Sequence, residues 1–145
     1  ERLGLRSIDE ETDAALASAV FAALSAGGAA LRWEPLFHDW WGGAASEGRA
    51  LAGPRGALYG DGAFADFRRA LEPYAPAHPD RLASAALADA EPQEMLIDEV
   101  EALWTAIAER DDWAPLAAKL DRLEAARALR YGCIAPIAHP GLIRP

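Results

Sequence analysis

Apolar residues recur at helical spacing through most of the chain, and the breaks in that pattern coincide with glycine and proline. Leu16, Val20 and Leu24, supplemented by Phe21, form one stripe and predict a first helix. Ser7-Ile8-Asp9-Glu10 has the S-x-x-E form of a capping box, so the helix should begin there, and Gly27-Gly28 should end it. Leu31 to Trp41 is a second apolar segment, with Pro35 placed early enough for a first turn and Gly42-Gly43 as a stop. From Ala44 to Gly62 the pattern weakens to at most a short helix around Glu47 to Leu51, with a turn at Gly53-Pro54.

Asp61 can cap a further helix in which Phe64, Phe67 and Leu71 share a side, and Pro73 closes it. Pro73 to Pro79 reads as an extended connector, and Asp80 to Ala88 as a small Ala-rich helix. The strongest periodicity is Leu96, Val100, Leu103, Trp104 and Ile107, expected to form a central core helix with Asp98, Glu99 and Glu101 off its apolar face. Asp111-Asp112 and Pro115 then open a last long helix with Leu116, Leu120, Leu123 and Ala126 as its seam, ended by Gly132. The fold class expected is all-α: an irregular array of five to seven helices with short loops, a helical domain over residues 1–131 and an extended, irregular C-terminal tail over 132–145.

Composition narrows the functional classes. Much of the apolar content is Ala, a strong helix former that contributes little to a core. The formal charge of −9, with scattered arginines and Lys119 as the one lysine, argues against a nucleic-acid surface. A single cysteine, Cys133, excludes an internal disulfide, and no secretory signal or spanning stretch of ~20 apolar residues stands out, so a reducing, cytoplasmic location without a membrane partner is expected. The sequence opens on Glu1 rather than Met, which suits a piece of a longer chain.

No complete catalytic set emerges. His38-Asp39-Trp40-Trp41-Gly42-Gly43 is the most conspicuous cluster, but helical neighbours point about 100° apart and no second His stands four residues on. The plain reading packs Trp40 and Trp41 against other helices and leaves His38 near solvent. Read instead as an interaction surface, Trp33, His38, Trp40 and Trp41 would form part of a groove for a partner helix or peptide. His78 and His139 each precede a proline in a loop setting and read as surface residues. Gly56 to Gly62 lacks the Lys-Ser/Thr of a phosphate loop and reads as a helix-capping turn. Ser7, Ser18, Ser25, Ser46 and Ser84 lack a nucleophile-elbow setting, and Cys133 follows a helix C-terminus, whose dipole has the wrong sign to stabilise a thiolate. The acids Asp98, Glu99 and Glu101 read first as a solvated helix face.

Several segments taken in order resemble a known family. Arg2-Leu3-Gly4-Leu5 before an acidic helix start, Phe37 to Gly43, Glu94 to Trp104 and Asp111-Asp112-Trp113 are similar to the C-terminal helical region of the selenoprotein O family in its bacterial form, also called YdiU. The resemblance runs from Arg2 to about Tyr131. It implies a parent protein adenylyltransferase with a kinase-like fold, which moves AMP from ATP to protein hydroxyls with a divalent metal. The catalytic elements would lie upstream, since no strand-borne Lys, D-F-G triplet or catalytic loop is present here. On this reading the chain itself holds no cofactor and no catalytic residue, and its partner is the upstream kinase-like core of the same polypeptide. The alternatives are a non-enzymatic helical interaction module that binds another protein, or a metal-dependent hydrolase using His38, Asp39 and the Asp98-Glu99-Glu101 acids.

Overall fold

The computed structural model describes residues 2–132, and the chain there is built of α-helices and short 3₁₀ turns. The helices are α1 (Glu10–Gly27), α2 (Trp33–Asp39), α3 (Glu47–Ala52), α4 (Gly56–Gly60), α5 (Ala65–Leu71), α6 (Ile97–Arg110) and α7 (Ala114–Tyr131). The all-α expectation holds. The expected C-terminal tail, with Cys133 and His139, lies outside the described residues.

Extended pairing among the described residues is limited to one antiparallel bridge, Leu5 with Pro76, flanked by Arg6 N–H to Ala75 O (3.0 Å) and Ala77 N–H to Gly4 O (2.7 Å). The Pro73–Pro79 connector thus straps the N-terminal segment down. Gly4 makes this possible: its φ is +64°, and a Cβ there would fall 2.7 Å from the Trp41 ring.

Helix α1 starts at Glu10, with Asp9 as its cap rather than Ser7. The Asp9 carboxylate accepts from Thr12 N–H at 2.7 Å, while the Ser7 hydroxyl donates to Asp13. Asp caps as well as Ser and adds a negative charge at the positive end of the helix, so the site moves two residues on. Leu16, Val20 and Ala23 then face inward, and α1 packs on α5. By length and composition, the stretch Glu10–Ala30 is also apolar enough to cross a membrane, contrary to the sequence expectation. Alanine supplies much of that character, and in this fold Leu16 and Val20 are buried while Phe21 is 58% exposed.

The core centres on α1, α2 and α5. Trp40 is 1% exposed and meets Tyr59 (5.5 Å, 82°) and Phe67 (5.2 Å, 82°) edge to face, a geometry the ring quadrupoles favour. Phe64, Phe67 and Leu71 are buried together, as their spacing predicts. Asp61 caps the 3₁₀ turn that leads into α5, accepting from Ala63 N–H at 2.8 Å. Gly56 to Gly60, read as a turn, is the short helix α4. The predicted Asp80–Ala88 helix is instead two 3₁₀ turns, Pro79–Ala83 and Ala85–Leu87, because Ser84 takes an extended conformation and caps the second.

Helix α6 is not central. Among its residues only Ala106 is buried, and Ile97 and Trp104 are 69% and 66% exposed. The periodicity correctly marks an apolar face, but spacing carries no information on what covers it. Leu103 and Ile107, on the flank nearer Ala106, are half-buried. On α7 the expected seam is likewise rotated. Leu120 is exposed, Leu116, Leu123 and Ala126 are half-buried, and the buried positions are Lys119 and Leu129. Leu129 joins Trp41, Ala86 and Leu87 in a second small cluster that fastens α7 to the body.

Candidate functional site

His38 and Asp39 end α2, and both are buried, which corrects the expectation of a solvent-facing His38. Helical geometry sends them to different partners. His38 Nε2 lies 2.9 Å from the Asp89 carbonyl oxygen. Asp39 receives Arg55 Nε at 2.6 Å and Nη2 at 3.1 Å, plus the Tyr59 hydroxyl at 2.7 Å. Arg55 continues to Glu91 through Nη1 (2.8 and 2.9 Å), while Arg49 donates to the carbonyls of His38 and Asp39 (2.8 and 2.9 Å).

This network is saturated and fixes the 89–91 segment over α2. Beside it lies a cavity of about 300 Å³ lined by Asp39, Arg49, Gly53 and Asp89. Burial first, then the Asp39 hydrogen bond, raises the Tyr59 phenol far above its ordinary value, and the Asp39 hydrogen bond does the same for Arg55. Both donors therefore keep their protons, and the cluster is a clamp rather than a proton relay. Arg49, Arg55, Tyr59 and Glu91 were not marked by the sequence reading, because their partners lie 10 to 36 residues away and no local pattern links them.

Of the four aromatic and imidazole groups expected to form an interaction surface, the structure buries His38, Trp40 and Trp41 and leaves Trp33 46% exposed. Bulky rings with this much apolar area are drawn into the core first. Trp33 stands at the mouth of an apolar groove of about 360 Å³ between α1 and α2. Phe21 meets it edge-on (5.4 Å, 83°) and Phe37 stacks beneath it (5.7 Å, 24°), with Leu16 and Val20 behind. The Arg2 guanidinium carbon sits 4.6 Å over the Phe37 ring.

At the polar end of the groove Asp13 accepts from Ser7, from Ile8 N–H (3.3 Å) and from the Tyr74 hydroxyl (2.8 Å). The Ser7 and Tyr74 hydrogen bonds hold the Asp13 carboxyl below its usual range, while burial and then Asp13 push the Tyr74 phenol up to about 12. The groove can hold an apolar side chain.

A second exposed surface runs along α6 and the approach to α7. Met95, Leu96, Ile97, Trp104 and Trp113 are each about half exposed or more, with Val100 at 37%. Lys119, the lysine that a nucleotide site would call on, is buried and committed to Glu99 Oε2 (2.7 Å) and Gln93 Oε1 (3.1 Å). Among the described residues no three His, Cys, Asp or Glu side chains converge as a metal would need. Set against protein-family models, curated proteins and solved structures, the chain matches none.

Proposed function

We propose that the chain is the helical C-terminal region of a selenoprotein-O-like protein adenylyltransferase, which supports a kinase-like core and performs none of the AMP transfer itself. The observation that carries this reading is the apolar surface of α6 and its flanks. Met95, Leu96, Ile97, Trp104 and Trp113 are large apolar side chains left exposed within one nineteen-residue stretch, more than scattered surface hydrophobes require. Such a surface suits a domain that rests on the remainder of a larger protein, and it falls on two of the segments that carry the family resemblance, Glu94 to Trp104 and Asp111 to Trp113. The resemblance also supplies the reaction class, and the single cysteine supports a reducing, cytoplasmic location.

The experiment is an AMP-labelling assay on the native polypeptide containing this domain, with Ile97→Asp and Trp104→Asp introduced together. The native chain should label itself or another protein from ATP, the doubly substituted chain should label several-fold less, and the isolated domain not at all. A native polypeptide no longer than this domain, or one that neither binds ATP nor transfers AMP, would remove the reading. The half-exposed Trp33 above a 360 Å³ apolar groove favours the second reading, a helical module that receives an apolar anchor from another protein.

A further inference from the structure

The chain carries a net charge of −9, yet one of its cavities is cationic. It has a volume of about 520 Å³ and lies between the N-terminal segment, Trp41, the 77–78 stretch and the end of α7. Arg2 and Arg130 reach it from opposite ends of the sequence and share a single carboxylate, Glu34. Arg2 Nη2 donates to Glu34 Oε1, and Arg130 Nη2 donates to Oε2 at 2.6 Å. Burial raises the Glu34 carboxyl, but Arg130 and then Arg2 outweigh it and hold the group below its usual range. Two guanidinium groups thus face one negative charge, and His78 stands on the same wall.

A third guanidinium stands near the end of α7 without a carboxylate partner among the described residues. It belongs to Arg81, whose Nη2 lies 3.0 Å from where a Cβ on Gly132 would be and which donates through Nη1 to the Leu129 carbonyl (3.2 Å). Trp41 lines the cavity with its indole, which is 3% exposed.

We infer that this cavity is a binding site for a small organic or inorganic polyanion bearing carboxylate or phosphate groups. Its oxygens would be received by Arg130 and Arg2, with the Trp41 N–H as a neutral donor. Glu34 occupies the two arginines in the absence of ligand and competes with it. The site is independent of the proposed adenylyltransferase role, since nothing in that role requires an anion here.

The test is titration of the full 145-residue chain with pyrophosphate and, separately, with citrate at low ionic strength, read by calorimetry and by tryptophan fluorescence. Saturable binding is expected, with the tighter of the two anions naming the preferred oxygen acid. Arg130→Gln should weaken it by about tenfold or more, the effect of losing a charge-assisted hydrogen bond. Glu34→Gln should tighten it, because the competing carboxylate is gone, and misfolding cannot produce a gain. Arg110→Gln, at an exposed position paired with Glu109, controls for net charge and should leave affinity unchanged. Absence of saturable binding by either anion, equal weakening by Arg110→Gln and Arg130→Gln, or a Glu34→Gln variant that binds no more tightly would overturn the site.

Discussion

Asp39 at the end of α2 and Arg55 at the start of α4 are joined by two hydrogen bonds, 2.6 and 3.1 Å long, with their side chains only 6% and 13% exposed. Sixteen residues separate them. Between them runs α3, so the pair closes a loop whose own helix has a single buried side chain, Ala50. The shape of this region is held by charge more than by apolar contact.

Asp39→Asn should therefore destabilise the fold strongly. It removes the negative partner of a nearly buried guanidinium and of the Tyr59 hydroxyl. The loss expected is about 3 kcal/mol, at the low end for a broken buried pair because Arg55 keeps Glu91. Urea unfolding checks this. Asp39→Asn combined with Arg55→Met should cost less than the sum of the two single changes, and simple additivity would refute the coupling.

Lys119→Met addresses the seam between α6 and α7. Methionine preserves the buried stem but removes the ammonium held by Glu99 and Gln93. Glu99 is 39% exposed and can return to water, so the cost should stay near ~1 kcal/mol. Hydrogen exchange should rise in α6 more than in α1. Uniform acceleration across the chain would show that the pair stabilises the whole domain rather than this seam.

The Asp13–Tyr74 pair predicts opposite responses at the two ends of the pH scale. Asp13 has a depressed folded-state pKa, so its contribution is present above the ordinary carboxyl value of 3.8 and is lost as pH falls through the folded value. Tyr74 is raised from 10.0 to about 12, so its contribution is complete below pH 10 and lost as pH climbs towards 12. Tyr74→Phe should reduce the alkaline loss, leaving the part that belongs to Tyr59, and remove one late-titrating phenol from the ultraviolet difference spectrum. An unchanged alkaline profile would sink the assignment.

What the sequence makes legible here is local. Leu16 and Val20, or Phe64, Phe67 and Leu71, announce both a helix and its buried side, because each repeat lies within one element. Gly132 likewise marks its helix end, with φ at +81°. The polar contacts that shape the candidate sites are of another kind: Arg2 and Arg130 converge on Glu34 across 32 and 96 residues. No spacing rule reaches that far. The α6 periodicity misleads for a related reason, since an amphipathic pattern is the same whether its apolar side meets a core or an outer surface.

Lys119 has one more consequence. It is the chain's single lysine and is 3% exposed, so the folded domain offers reagents almost no ε-amine at its surface. Amine-directed labels would react there only as α6 parts from α7, which turns the residue into an internal clock for that opening.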